Sequence, residues 1–280
     1  MDIRLFIVFS SPAGSTRRVA ETIQEGLRRE KDHLSLVDLG KVADASAVIE
    51  QIQKAGQRAC LFIGSPVYRD AAVPPIVKFI EALPKIDGAM AVPFVTWGQA
   101  CSGVALWQMG SLLMAKGFKI VAAAKVVALH SLMWQTADPP GKGHPDLADL
   151  ARVKDMLTVL HSRFESVEIP SLALETLDYQ PRERAEQMKK KIAAPRLIVP
   201  KKVNTATCTQ CAVCEEACPA EAIQLNPYPQ FDQSCFDCFN CIRLCPEDAI
   251  EPAVGLNDIE KHIRQRVQSI NEQPITQIFF

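Results

Sequence analysis

The sequence predicts an α/β protein: a doubly wound, five-stranded parallel sheet over residues 1–165, then a small α+β domain over residues 196–252. Two observations carry this expectation. Short continuous apolar runs alternate with helically patterned stretches through the first part, and eight of the ten cysteines fall in two copies of one short motif in the second. A length of 280 residues suits about two domains.

The strands of the first part are expected at Leu5–Phe9, Leu34–Leu39, Ala59–Gly64, Met90–Thr96 and Lys119–Val127. Between them, Val19, Ile23 and Leu27 recur at helical spacing, as do Ile76, Phe79, Ile80 and Leu83. Leu147, Leu150, Val153, Leu157, Leu160 and Phe164 mark one more helix. Strands apolar throughout are buried on both faces, which is the condition of a parallel sheet covered by helices.

Residues 166–195 read as a connector. Prolines stand at Pro170, Pro181 and Pro195, and Arg182–Lys191 reads as a solvated helix with Lys189, Lys190 and Lys191 on its exposed face. Residues 253–280 read as a helical extension bearing Ile259, Ile263, Val267 and Ile270, with Asn257 or Asp258 as its cap. The tail Ile278-Phe279-Phe280 is apolar enough to dock.

A net charge of −1 argues against a broad nucleic-acid surface. Hydrophobic residues at 48% and charged residues at 22% allow a buried core. No apolar run approaches the ~18 residues of a membrane span. Ile3–Phe9 is short and enters a Ser/Gly turn, so it reads as a strand rather than a signal peptide, and a cytoplasmic location is expected. Clustered cysteines in such a chain point to metal ligation rather than disulfides.

Cys208, Cys211, Cys214, Cys218, Pro219, Ala222 and Ile223 match Cys235, Cys238, Cys241, Cys245, Pro246, Ala249 and Ile250 at one constant offset, that from Cys208 to Cys235. Each copy reads C-x2-C-x2-C-x3-C-P. A [4Fe–4S] cube takes four thiolates, and in this spacing the fourth cysteine serves the other cube. The expected ligands are Cys208, Cys211, Cys214 and Cys245 for cluster 1, and Cys235, Cys238, Cys241 and Cys218 for cluster 2. Zinc sites use two C-x2-C pairs across a longer loop and fit this run poorly. The stretch resembles bacterial-type two-cluster ferredoxins, which commonly carry Gly after the second cysteine; Ala212 and Phe239 stand there instead. Phe231, Phe236 and Phe239 surround the second motif; they read either as filling of a tiny core or as a shell that lowers the potential, because burial disfavours adding an electron to an anionic cluster, and the two roles are compatible.

Ligands of open parallel sheets bind beyond the carboxyl ends of the strands. After the first strand, Ser11, Ala13, Gly14, Ser15 and Thr16 offer hydroxyls, backbone N–H groups and a helix N-terminus to a phosphate. No Lys precedes Ser15-Thr16, so this is no nucleoside-triphosphate loop. After the third strand come Ser65, Pro66, Val67 and Tyr68, the last a candidate to cover a flat ring. After the fourth come Thr96, Trp97, Gly98, Gln99, Ser102 and Gly103, small enough on balance to admit a ligand to the backbone, with Trp97 a second ring-flanking candidate. Cys101 reads as filler and His130 as a packed or solvent-facing histidine, ahead of redox or proton-delivery roles.

Together these loops, with S-P-x-G-x-T, G-S-P-V-Y and a Gly-containing third loop, make residues 1–165 similar to flavodoxins. Ala13 stands where that family usually has Thr. The whole chain resembles flavodoxin–ferredoxin fusion proteins of anaerobes. The resemblance implies a strand order of 2-1-3-4-5, bound FMN, and a His–Ser pair near His130-Ser131.

Two clusters and FMN on one chain would convert between one-electron and two-electron partners such as ferredoxins or oxidoreductases, with a homodimer left open. The alternative is an FMN-dependent reductase of a small substrate fed through the clusters. No acid–base or nucleophile constellation emerges, and no dinucleotide fingerprint favours a nicotinamide donor, so a carrier is preferred.

Overall fold

A computed structural model describes residues 3–27, 34–42, 44–166 and 168–280. In chain order it contains β1 (Arg4–Phe9), α1 (Ser15–Gly26), β2 (Leu34–Asp38), α2 (Ser46–Ala55), β3 (Ala59–Tyr68), β4 (Ala71–Ala72), α3 (Pro74–Ala82), β5 (Met90–Trp97), α4 (Ala105–Ala115), β6 (Lys119–Ile120), β7 (Ala123–Val127) and α5 (Leu147–Phe164). There follow α6 (Arg182–Ala193), β8 (Lys201–Val203), α7 (Val213–Glu216), β9 (Ile223–Leu225), β10 (Pro229–Phe231), α8 (Asn240–Arg243), β11 (Ile250–Pro252), α9 (Leu256–Ile270) and β12 (Gln277–Phe279).

The main sheet runs β2-β1-β3-β5-β7, all parallel, which is the flavodoxin-like 2-1-3-4-5 order. The expected fifth strand is split: β6 and β7 both pair with β5, and Val121 bridges the gap by donating to Ala91 O at 3.0 Å. Successive residues point to opposite faces, as a pleated strand requires. Leu5, Ile7 and Phe9 join α1 and α5 in one core, while Phe6 and Val8 join α2, α3 and α4 in the other. Cys60 lies fully buried in the first of these cores, as filler.

The C-terminus completes the sheet. β12 pairs antiparallel with β7, setting Ile278 opposite Ala124 and Phe279 opposite Ala123. The tail therefore docks as expected, but as a sixth strand that covers an otherwise open edge.

Two expectations change. Residues 168–195 pack along the sheet domain: Leu172 N–H donates to Ile120 O at 2.7 Å, and Leu177 lies buried against α4. Lys189 is drawn in, paired with Asp178 and 4.1 Å from the Trp107 ring centre. At α9 the cap is Gly255, which places Asn257 and Asp258 inside the first turn. There the Asp258 carboxylate complements the helix dipole instead of capping.

The cysteine domain repeats itself in three dimensions. α7 and α8 stand at the same offset as the two motifs, and so do β9 and β11. Positive-φ residues fall in pairs at that offset too: Gln210 and Asp237 (56°, 59°), Ala212 and Phe239 (62°, 58°), Glu221 and Asp248 (51°, 46°). Ala212 and Phe239 are thus left-handed at the very turn where glycine would be free of strain.

Candidate functional site

The two half-repeats trade their last cysteines. One cavity is walled by Cys208, Cys211, Cys214 and Cys245, the other by Cys235, Cys238, Cys241 and Cys218. The exchange follows from the short helices: α7 and α8 each carry the third cysteine of their motif and point the fourth toward the neighbouring half. Ala222 N–H donates to Cys218 Sγ at 3.3 Å, and Ala249 N–H to Cys245 Sγ at 3.3 Å. Each cavity thus gathers four thiols, the complement that one [4Fe–4S] cube takes.

At the switch point of the sheet, the loops after β1, β3 and β5 open onto a cavity of about 810 Å³. Ser11, Ala13, Ser15 and Thr16 line it from the first loop, where Ser11 Oγ accepts from Arg17 N–H at 2.9 Å and Thr16 and Thr96 share a 2.7 Å hydroxyl bond. Gly14 caps α1 with φ +92°, a conformation that favours glycine. Pro66, Val67 and Tyr68, expected in a loop, line the cavity from the carboxyl end of β3, which runs four residues beyond the predicted strand; Thr96 and Trp97 line it from the end of β5, and Gly98 from the loop beyond. The opposite wall is α9 together with the segment that follows α6, supplying His262, Arg266 and Arg196.

The cavity adjoins the second cysteine site directly. Phe239 lines both, and the edge of Tyr68 meets Phe236 with ring centres 5.5 Å apart. Two buried polar atoms of cavity-lining residues, His130 Nδ1 and Arg196 Nη1, have no hydrogen-bond partner among the described residues. Buried polar atoms are normally satisfied, so the cavity is built for a polar occupant.

Residues 200–262 match the 4Fe–4S dicluster domain family. The chain is a fusion of a flavodoxin-like domain with a ferredoxin-type 4Fe–4S domain. The strand order establishes its first half and the family match its second. No curated protein sequence matches the chain significantly. Among solved structures it is similar to a rubredoxin oxygen:oxidoreductase from the anaerobe Desulfovibrio gigas, with 18% identity and a TM-score of 0.43, covering 69% of this chain and 38% of that one. It is also similar to a flavodoxin from the domain Archaea, with 17% identity, a TM-score of 0.44, and coverage of 59% and 100%. The apo form of the NADH:FMN oxidoreductase EmoB gives 16% identity and 0.42, covering 60% and 95%.

Within this flavodoxin-like fusion, four of the residues expected at the flavin face elsewhere. Ser65 is buried, accepting from Val73 N–H at 3.0 Å and donating to Pro66 O at 2.8 Å. The Gln99 side chain accepts from Gly141 N–H at 2.8 Å. Ser102 is bound into a network with Glu272, Tyr179 and Gln180. Gly103, at φ +62°, presses so close to Asp70 that a Cβ would lie 2.1 Å from its carbonyl oxygen. Trp97 lies on the cavity wall, yet its indole N–H donates to Ile275 O at 2.9 Å and the Lys125 ammonium sits 5.3 Å from its ring centre. That engagement with the C-terminal tail competes with a ring-flanking role. Tyr68 keeps such a position, its hydroxyl 2.7 Å from Ser131 Oγ.

Asp70, Arg196 and Arg266 were not singled out in the sequence, whereas Cys101 and His130 were. Arg266 binds Asp70 with both terminal nitrogens, at 2.6 and 3.3 Å, and locks α9 onto the loop after β3. Burial, then the Asp70 and Glu272 charges, pushes the Cys101 thiol up to about 12, so it is no thiolate at neutral pH. Burial and the Arg266 cation bring His130 down to about 4, which leaves it neutral. Arg266 and Arg196 come from the other end of the chain, far beyond the reach of local pattern around that loop.

Proposed function

We propose that this chain is an electron carrier that holds two [4Fe–4S] clusters and FMN, passing electrons between one-electron and two-electron partners such as ferredoxins and oxidoreductases. The carrying observation is the shared wall: Phe239 lines both the second cysteine site and the large cavity. Cubes transfer electrons singly and a flavin takes one or two, so the cofactors supply the chemistry while the protein fixes their spacing and surroundings.

In this reading Cys208, Cys211, Cys214 and Cys245 hold cluster 1, and Cys235, Cys238, Cys241 and Cys218 hold cluster 2. The α1 N-terminus, with Ser11, Ser15 and Thr16, takes the FMN phosphate, since free N–H groups and the helix dipole favour an anion there. Tyr68 borders the ring. Lys201, 1% exposed, brings a buried cation to Cys235, and α9 shields the cavity from water.

Anaerobic purification with iron, sulfide and flavin measured per chain tests the proposal. About eight irons and one FMN are expected; zinc in place of iron, or a chain that takes up no flavin, overturns it. A second reading, an FMN-dependent reductase of a small substrate, draws on two cavity-lining residues, Arg196 and His130, that hold polar atoms without partners among the described residues. Reoxidation of the reduced protein only by one-electron acceptors supports the carrier. Stoichiometric turnover of one small molecule supports the reductase.

A further inference from the structure

The two cysteine sites are alike in backbone and unlike in charge. The cavity of Cys208, Cys211, Cys214 and Cys245 has one charged residue in its lining, Glu247. The cavity of Cys235, Cys238, Cys241 and Cys218 is lined by Lys201. Its ammonium donates to Cys235 Sγ at 3.0 Å and to Asp237 Oδ1 at 2.6 Å. The Phe231 and Phe239 ring centres lie 5.9 and 5.6 Å from it. The repeat does not demand this arrangement: at the offset of the two motifs, Lys201 corresponds to Tyr228 and Asp237 to Gln210.

A side chain 1% exposed gives up nearly all its hydration, so the charge must be balanced locally. Asp237 supplies that balance, its Oδ1 2.6 Å from the ammonium. Asp237 is itself shared: it accepts from Val199 N–H at 3.1 Å and from Arg69 at 3.2 Å. The carboxylate is therefore divided among several donors, and the Lys201 charge at Cys235 is only partly cancelled.

We infer that Lys201 sets the reduction potential of the second cluster, keeping that cluster reducible inside an aromatic shell that would otherwise drive its potential down. A fixed cation at a ligand sulfur stabilises the more negative, reduced form, and in low dielectric it does so more strongly than solvent at the same distance. The three rings alone predict a low potential; the buried ammonium opposes them. It acts on the cluster that adjoins the flavin cavity and leaves the other to its own surroundings. The inference rests on the assignment of these cysteines as cluster ligands.

The test uses the anaerobically prepared full-length protein and its Lys201→Met, Lys201→Arg and Asp237→Asn variants. Iron is counted first, and the clusters are then titrated with a chemical one-electron reductant under EPR. Lys201→Met is expected to lower the reduction equilibrium of one cluster by about tenfold or more, 59 mV for a one-electron couple, with the other unmoved. Lys201→Arg, which keeps the charge, stays close to the parent value. Asp237→Asn shifts the same cluster the opposite way. Equal midpoints for Lys201→Met and parent, or equal movement of both clusters, overturns the inference. Should Lys201→Met lose four irons, Asp237→Asn decides: a midpoint that stays or falls overturns it. A parent protein lacking iron would overturn the cluster assignment itself, and the iron count shows that before any titration.

Discussion

Lys125 in β7, with a side chain 1% exposed, donates at 2.7 Å to Glu272 in the C-terminal tail. The same carboxylate accepts from Ser102 N–H at 2.9 Å and from Gln180 Nε2 at 3.0 Å, so one residue gathers the sheet edge, the loop after β5 and the segment before α6. Burial raises the Glu272 pKa, but the Lys125 charge and the hydrogen bonds outweigh it and hold the carboxyl below its ordinary value. Glu272→Ala strands a buried ammonium, which typically costs about 3–5 kcal/mol. The urea midpoint followed by tryptophan fluorescence should fall accordingly; Trp97 reports on the site, its ring centre 5.3 Å from the Lys125 ammonium. Adding Lys125→Met should recover much of the loss, because an apolar pair avoids the desolvation.

The crossed arrangement of cysteines predicts selective loss. Cys211→Ala removes one wall of the first cavity and none of the second. About four of about eight irons should remain, with flavin binding intact, because the first cavity shares no lining residue with the large one. Cys238→Ala should also halve the iron. It differs in disturbing the flavin spectrum, since Phe236 and Phe239 flank Cys238 and touch Tyr68 or the large cavity. Iron analysis beside visible spectra reads both outcomes.

Those cysteines were legible in the sequence because a cube imposes a ligand spacing within a few residues, and the repeat wrote it twice. The sheet was legible for a similar reason: Ile7, Val8, Phe62 and Ile63 belong to unbroken apolar runs that only a two-sided burial explains. The flavin loops were read as whole segments, yet loop side chains divide individually between cavity and core. Ser65 and Ser102 found partners inward, and nothing in their local sequence separates them from Ser11. Arg266, Glu272 and Lys201 act across long separations, and each looked like an ordinary charge until the fold supplied its counterpart.

Ala212 shows what the sequence departure at the cysteine turn means. At φ 62° it carries a conformation that costs an L-residue about 1–2 kcal/mol. Glycine removes that strain while adding about 0.4–1 kcal/mol of unfolded-state entropy. Ala212→Gly should therefore be neutral or stabilising by up to about 1.6 kcal/mol, where the same change inside a helix costs about 1 kcal/mol. The turn holds a cysteine site, so the local measure is the half-life of cluster absorbance in denaturant. A markedly shorter half-life would contradict the strain argument. Phe239→Gly is a different case despite φ 58°, since it also removes a buried ring.

His130 makes the protein's stability depend on mild acid. Its folded pKa, about 4, lies below the ~6.5 of an unfolded histidine, chiefly because burial disfavours the imidazolium and secondarily because Arg266 repels it. Above pH ~6.5 it is neutral in both states and contributes no pH dependence. As pH falls from there towards 4, the unfolded chain takes up the proton and the folded chain resists it. Stability then declines by up to about 1.4 kcal/mol per pH unit from this one group. His130→Gln keeps a polar side chain that does not titrate. Urea midpoints of the parent and of His130→Gln should therefore differ by a constant above pH 7, and the parent should lose ground steadily between pH 6.5 and 4.5. Curves that stay parallel across that interval would show that the His130 proton is accommodated in the fold, by a rearrangement that brings Nδ1 a partner.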